Sequence, residues 1–302
     1  MEMLGSDRVR AARRTPSRLS SPRSAMEFLW KVVSALILAL VEGLTEFLPV
    51  SSTGHMLLVK ELLGLEASPA FLIFIQFGAI LAICVIYFEQ LWRVTKAVPY
   101  NENAQRFFFG LFIAFLPAAA LGVLMSDFIT EHLLKGGMAK FVVAFMLVAG
   151  GVAILFIERM VKIPQYYSVE DFPLSLYLKI GLLQCLALVP GVSRSGATIM
   201  GSLLMKVERS AAAEFSFFLA IPTMLGASVY SLYKYWSTLQ FSDLFTLLIG
   251  FAVAFVSAYW VARRFVSFVS NNGFGVFAWY RIVIGSFMLG YFSLQYFAQQ
   301  PA

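Results

Sequence analysis

Two short polar stretches, one in each half of the chain, interrupt apolar segments and match each other without a gap. They are residues 49–55 (PVSSTGH) and 190–196 (PGVSRSG). At a constant offset of 142 residues, Val50, Ser51, Thr53 and Gly54 align with Val192, Ser193, Ser195 and Gly196. Each unpaired polar group in hydrocarbon costs several kcal/mol, so stretches this polar cannot face lipid. We expect them to face each other around a hydrated cavity, which is then the functional site.

The rest of the chain is apolar enough to indicate a polytopic membrane protein. Of its 302 residues, 60% are hydrophobic and 13% are charged, whereas a soluble domain carries about 25% charged residues. Six segments have roughly the 20 apolar residues that a membrane-spanning helix needs. They are residues 69–88, 106–126, 139–157, 212–232, 243–263 and 276–297.

The segments around the two polar stretches are too short or too broken for two full crossings each. Residues 28–48 are followed by 55–64, and residues 175–189 by 196–206. We therefore predict two re-entrant helix-loop-helix hairpins, each followed by three spans. Because three is odd, the second half enters the membrane upside down, which is an inverted-topology repeat. The predicted fold class is an all-α polytopic membrane protein with six transmembrane helices, in one domain of residues 26–302 with repeats at about 26–157 and 158–302.

The charge of the chain is concentrated at its start. The net charge is +6, and residues 1–25 contribute +4 of it, with six arginines against Glu2 and Asp7. The remaining charge gives no indication of a nucleic-acid partner. We expect residues 1–25 to be a disordered leader or a non-native extension, with Met26 as an alternative start. Elsewhere, the Lys/Arg bias predicts that the connections at 89–105, 158–175 and 263–275 are cytoplasmic.

Two glutamates precede the first polar stretch by less than two helical turns. Glu42 and Glu46 are four residues apart, so their carboxylates project from one helix face. Such a pair inside a membrane persists if a cation, a shared proton or an arginine neutralises it. Mg²⁺ and Ca²⁺ prefer carboxylate oxygens, so we predict that both glutamates bind one of these divalent cations. The alternative is a structural ion pair between one glutamate and Arg281 or Lys31.

The second stretch carries the cation that an anion site needs. Arg194 stands where the first stretch has Ser52, and its guanidinium can bind phosphate oxygens in a bidentate way. Helices beginning after each loop would also present free N–H groups to an anion. The predicted phosphate-binding residues are Ser51, Thr53, Gly54, Ser193, Ser195, Gly196, Thr198 and Gln184. The alternative for each hydroxyl is plain helix capping.

His55 directly follows the first loop, beside three hydroxyls and near two carboxylates. It can act as a general base for Ser52 or water, as a nucleophile, or as the acid for a leaving group, and the residues do not choose among these roles. Glu214 and Arg281 form a second tier of candidates, which either line the same cavity or pair with each other.

The pattern Glu42-x-x-x-Glu46 with residues 49–55, together with residues 190–198, resembles the two signatures of the bacterial undecaprenyl-diphosphate phosphatase family of the bacitracin-resistance type. The similarity extends from about Met26 to the C-terminus. It implies removal of the terminal phosphate from undecaprenyl diphosphate, which recycles the lipid carrier for cell-wall synthesis and confers bacitracin resistance. It also implies a divalent cation and a site that faces the outside of the bacterial plasma membrane, and it marks the positions of Glu42, Glu46, His55 and Arg194 as essential.

The predicted catalytic residues are therefore Glu42, Glu46, Ser52, His55 and Arg194. The alternative function is a flippase or transporter for the polyprenyl phosphate, because inverted repeats with broken helices are typical of secondary carriers. Such a carrier would use Arg194 for binding but would not need His55. The expected partners are the polyprenyl diphosphate, membrane lipids and, as an open alternative, a second copy of the chain in a homodimer.

Overall fold

A computed structural model describes residues 22–134, 138–160, 163–235 and 244–298, and in these ranges the secondary structure is helical apart from one isolated bridge between Tyr166 and Val207. The expectation for the leader falls mainly on residues 1–21, which lie outside the described residues. The α-helices are α1 (Pro22–Thr45), α2 (Ser52–Leu63), α3 (Pro69–Ile86), α4 (Phe88–Ala97), α5 (Glu102–Leu124), α6 (Ser126–Phe128), α7 (Met138–Met160), α8 (Leu174–Gln184), α9 (Arg194–Leu204), α10 (Arg209–Tyr235), α11 (Leu244–Asn272) and α12 (Gly275–Ala298). Shorter turns of other helix types occupy Ile129–Leu134, Val169–Asp171 and Cys185–Leu188.

By length and composition, seven of the described helices can cross a membrane, one more than the six predicted. The six predicted spans correspond to α3, α5, α7, α10, α11 and α12. The seventh is Met26–Thr45 within α1, which we had assigned to the first arm of a hairpin. This helix continues for 20 residues before the loop at Pro49 breaks it, and 20 residues of α-helix are about 30 Å long. It also begins at Pro22, four residues before the expected start at Met26.

Small residues bring the long helices close enough for backbone contact. A Cβ atom added to Gly43 of α1 would lie 2.5 Å from the carbonyl oxygen of Ala254 in α11. One added to Gly151 of α7 would lie 2.6 Å from the carbonyl oxygen of Ala278 in α12. Close approach at small residues is the usual way in which membrane helices associate. These contacts pack α1 against α11 and α7 against α12.

The two helix breaks have the same local structure. Ser51 and Ser193 both adopt left-handed backbone angles, with φ of 69° and 81°. Each serine caps the helix that follows, because its Oγ accepts a hydrogen bond from the backbone N–H of Gly54 (3.4 Å) or Gly196 (3.1 Å). Capping, the alternative considered for each hydroxyl, is therefore observed for Ser51 and Ser193, and α2 begins at Ser52, two residues before the start expected near Gly54.

One helix was not predicted. Residues 89–97, which lie in the connection predicted at 89–105, belong to α4. Its aromatic residues, Phe88 and Trp92, are four positions apart, and the ammonium of Lys96 lies 4.7 Å from the centre of the Trp92 ring. A ten-residue amphipathic helix lacks the long apolar run by which membrane helices are recognised.

Candidate active site

The loops of the two broken helices lie directly against each other. The hydroxyl of Ser195 donates a hydrogen bond to the carbonyl oxygen of Leu48, at 2.7 Å, although these residues are 147 positions apart. Ser195 Oγ also lies 3.0 Å from Ser193 Oγ, within its own loop. The prediction that the two polar stretches meet is therefore confirmed.

Arg281 of α12 contacts the backbone of both loops. It is 1% exposed, and each of its five N–H groups points at a backbone carbonyl oxygen. Nη1 contacts Pro49 and Val192, Nη2 contacts Gly191 and Met146, and Nε contacts Leu147, at 2.9 to 3.2 Å. Gly150 makes room for this side chain, since a Cβ there would lie 2.1 Å from Nη2. With every donor occupied by backbone, Arg281 orders the loops and offers no free N–H to a ligand.

Glu46 is the centre of the polar cluster. Its Oε2 accepts a hydrogen bond from the hydroxyl of Ser52 at 2.5 Å. Its Oε1 lies 3.1 Å from Nη2 of Arg194, and both side chains are almost 90% buried. One carboxylate thus connects the serine of the first loop to the arginine of the second. Glu46 pairs with Arg194 and not with Arg281, which rules against the structural pairing considered above for this glutamate.

Arg194 has partners at both terminal nitrogens and, within the described ranges, none at Nε. Nη1 donates to the carbonyl oxygen of Ser216 at 2.9 Å, and the guanidinium lies 5.6 Å from the ring centre of Phe47. Thr198 supports the same place, since its hydroxyl lies 2.8 Å from Ser216 Oγ. The Nε atom of Arg194 is buried without a hydrogen-bond partner among the described residues. This arrangement leaves part of the guanidinium for an anionic ligand.

Apart from Ser228 Oγ, two further buried polar side-chain atoms in the described part of the chain lack partners, and both belong to predicted site residues. They are Oε1 of Glu42, which is 4% exposed, and Nε2 of Gln184, which is 1% exposed. A buried polar group left unpaired costs about 1–3 kcal/mol, which favours a ligand that pairs with it. In the described ranges, no group of three or more His, Cys, Asp or Glu side chains is placed to hold a metal ion. The donors that Glu42, Glu46 and Ser52 supply are nevertheless the hard oxygens that Mg²⁺ and Ca²⁺ prefer, so these residues fit a divalent cation shared with a phosphate.

His55 is fixed at both ring nitrogens. Nδ1 lies 2.8 Å from the carbonyl oxygen of Ser51, which can only accept, so Nδ1 carries the proton of the neutral ring. Nε2 then accepts from the hydroxyl of Tyr280, at 2.8 Å, across 225 positions of sequence. Tyr280 is not among the residues predicted for the site. It shares no local pattern with residues 49–55, so only the fold shows the pairing.

Other predicted residues lie apart from this cluster. Thr53 is exposed at the start of α2. Glu214 lines a different cavity, of about 420 Å³, together with Tyr87, Ser210 and Arg263. Among the described residues no ion pair joins Glu214 to Arg281. The expectation that these two line one cavity or pair with each other is therefore wrong, and only Arg281 contacts the loops.

Fold and site together define a class: an integral membrane protein of bundled helices whose broken helices enclose a polar centre suited to an anion. The match to known families is specific within that class. The chain belongs to the family described as bacitracin resistance protein BacA, whose model matches residues 35–287.

Named relatives resemble nearly the whole chain. The undecaprenyl-diphosphatase of Parvibaculum lavamentivorans is 54% identical over 262 residues, which cover 86% of this chain and 96% of the relative. Undecaprenyl-diphosphatase 1 of Mesorhizobium japonicum is 50% identical over 255 residues, or 84% of this chain and 94% of the relative. The undecaprenyl-diphosphatase of Paracoccus denitrificans is 49% identical over 254 residues, with the same two coverages of 84% and 94%.

Proposed function

We propose that this protein is an integral-membrane phosphatase that hydrolyses undecaprenyl diphosphate to undecaprenyl phosphate and inorganic phosphate. It thereby recycles the lipid carrier for cell-wall synthesis and confers resistance to bacitracin. Membership of the BacA family and relatives named undecaprenyl-diphosphatase, at 49–54% identity, support the reaction. The observation that carries the chemistry is the contact of Ser52 with Glu46, whose other oxygen binds Arg194.

The geometry favours Ser52 as the nucleophile, among the three candidates that the sequence left open. A general base must lie within hydrogen-bond reach of the group whose proton it removes, and Glu46 Oε2 lies 2.5 Å from Ser52 Oγ. Ser52 Oγ would bond to the terminal phosphorus, the bridging P–O bond would break, and the serine proton would pass to Glu46. Water would then cleave the phosphoserine, releasing phosphate and returning the proton to the serine oxygen.

Arg194 and His55 have separate roles in this scheme. Arg194 neutralises the phosphoryl oxygens as negative charge shifts in the transition state. His55 lies three residues after Ser52, so both side chains project from one face of α2. From there Nε2, which carries no proton in this tautomer, can take up the proton of the water that cleaves the phosphoserine, while Tyr280 keeps the ring in place.

Glu42 and Glu46 are the residues that would hold a divalent cation, together with the hydroxyl of Ser52. When bound, Mg²⁺ or Ca²⁺ supplies positive charge that draws the diphosphate to the carboxylates and polarises its P–O bonds. The unpartnered Oε1 of Glu42 supports this assignment.

We also propose that the chain is an inverted repeat whose broken helices, α1–α2 and α8–α9, are re-entrant hairpins. Ser51 and Ser193, related by the offset of 142, share a left-handed backbone and the same capping contact, which supports the repeat. Arg281 contacts the carbonyls of Pro49 and Gly191, which are related by the same offset. The Lys/Arg bias supports cytoplasmic connections at 89–105, 158–175 and 263–275, and membership of the BacA family supports a site that opens outside the bacterial plasma membrane.

The test is phosphate release from undecaprenyl diphosphate by the purified protein in nanodiscs. We expect release by the wild type, and losses of about 10²-fold or more in Ser52→Ala, His55→Ala and Arg194→Ala. Ser68→Ala, at the N-cap of α3, is the matched control and should retain activity. Undiminished release in all three site variants would refute the site. No release by the wild type, with lipid exchange across liposomes, would favour the carrier.

A further inference from the structure

The polar centre continues into an apolar groove of about 410 Å³ between α5, α10 and the end of α8. Its walls include Phe115, Ala119, Gly122, Leu188, Gly226 and Tyr230. At its inner end lie Gln184, Arg194 and Thr223, so that Arg194 belongs both to the groove and to the cluster with Glu46. Binding sites for small molecules typically measure about 300–1,000 Å³ and combine apolar walls with a few polar groups, as this groove does.

The inner end of the groove offers unpaired polar groups to a ligand. One end of the Gln184 amide is 3.4 Å from the Thr223 hydroxyl, and the other end has no partner among the described residues. Turning the amide over leaves one end unpartnered in either orientation. Arg194 adds its unpartnered Nε. A buried amide and a guanidinium at one end of an apolar groove match a ligand with an anionic head and an apolar body.

The groove ends at Tyr230, and beside that end it opens toward the lipid. Thr223 and Tyr230 are seven residues apart on α10, which is about 10 Å of helix. The hydroxyl of Tyr230 lies 2.9 Å from Ser126 Oγ and links α10 to the turn after α5. Beside this end, Val123 is 53% exposed on the lipid-facing surface, and Ala227 is exposed as well. A long chain that starts at Arg194 can therefore leave sideways into the bilayer.

We infer that this groove binds the first prenyl units of the lipid diphosphate, so that α5 and α10 select substrates by their hydrocarbon chain. The inference rests on the proposed function and names the place of the substrate's tail. Gly122 and Gly226 are central to it because neither carries a side chain that would fill the groove. A Cβ at Gly226 would lie 3.0 Å from the Phe115 ring, whereas one at Gly122 has a single neighbour, Leu188, at 3.5 Å.

The variant that follows is Gly122→Leu, which fits at its Cβ and extends into the groove. Its matched control is Gly290→Leu in α12, where an added Cβ has no neighbour within 4 Å. The purified proteins are compared on isopentenyl, farnesyl and undecaprenyl diphosphate. We expect Gly122→Leu to lower kcat/KM about tenfold or more for the two longer substrates, because the leucine displaces apolar contact with the tail. The change for isopentenyl diphosphate should stay below about twofold, and Gly290→Leu should match the wild type on all three.

An equal loss on all three substrates, in a variant that melts at the wild-type temperature, would overturn the inference, because the groove would then be only a passage for the diphosphate. An unchanged chain-length profile would overturn it as well. Photo-crosslinking of the wild type with a benzophenone-bearing prenyl diphosphate does not depend on any variant. Labelled peptides from α5 and α10 support the groove, and labelling confined to other helices refutes it. If the wild type releases no phosphate from any substrate, the proposed function fails, whereas release with labelling elsewhere defeats only the groove.

Discussion

Tyr280→Phe tests how His55 is used. The substitution removes one hydrogen bond, 2.8 Å long, and leaves the contact of Nδ1 with Ser51 in place. A neutral hydrogen bond of this kind is worth about 0.5–1.5 kcal/mol, which corresponds to roughly a 2- to 12-fold change in rate. Tyr280 is 42% exposed, so water can take over part of its role, and we expect a loss nearer the lower end of that range. Removing the imidazole itself should cost more, about 10²-fold or greater.

The assay is the steady-state rate of phosphate release, measured for the two single variants and for Tyr280→Phe combined with His55→Ala. If Tyr280 acts by positioning the histidine, it should lower kcat with little change in KM, and it should have almost no further effect once His55 is alanine. Tyr291→Phe is the matched control, because this tyrosine lies in the same helix and its hydroxyl contacts Gln295 at 2.8 Å. Equal effects of Tyr280→Phe with and without His55 would refute the reasoning, because the tyrosine would then act independently of the ring.

Three further predictions concern stability and the cation. Arg281→Lys leaves three N–H donors for five carbonyl oxygens, so at least two oxygens lose the hydrogen bond from this side chain, at about 1–3 kcal/mol each. The variant should therefore have a lower melting temperature than the wild type. It should also melt below Arg264→Lys, the matched control at an exposed arginine. Gly43→Ala should destabilise the packing of α1 on α11 by about 1–3 kcal/mol, whereas Gly290→Ala, which meets no neighbour, should not lower the melting temperature. Glu42→Gln should raise the Mg²⁺ or Ca²⁺ concentration needed for half-maximal activity more than it changes lipid binding, and an unchanged metal titration would place the cation elsewhere.

Local sequence patterns were sufficient to predict most of the membrane-spanning helices and the two helix breaks. Apolar runs of about 20 residues indicated the six spans, and proline with serine indicated where the other helices break and restart. The sequence predicted one site containing Glu46, Ser52 and Arg194, because two polar loops that cannot face lipid are expected to face each other. Their contacts bear this out.

The remaining features depend on distances that no local pattern contains. Tyr280 meets His55 across 225 positions, and Arg281 meets Pro49 across 232. Glu214 and Ser216 are close in sequence but point to different sides of α10. Glu214 lies two residues before Ser216, and two residues correspond to about 200° around a helix. Ser216 therefore contacts Arg194, while Glu214 faces a separate cavity.

The five carbonyl contacts of Arg281 also bear on how the molecule can move. Carriers with inverted repeats work by rocking one half against the other, which opens the centre first to one side and then to the other. In this protein Arg281, in the second half, donates to the carbonyls of Pro49, Met146 and Leu147 in the first half, so rocking the halves apart would remove three bonds together from a buried charge. Breaking a buried charged contact typically costs about 3–5 kcal/mol. An enzyme that hydrolyses its lipid at a fixed site does not need this rocking movement. The contacts of Arg281 therefore favour a site that keeps the two halves together, with lipids entering and leaving from the bilayer beside it.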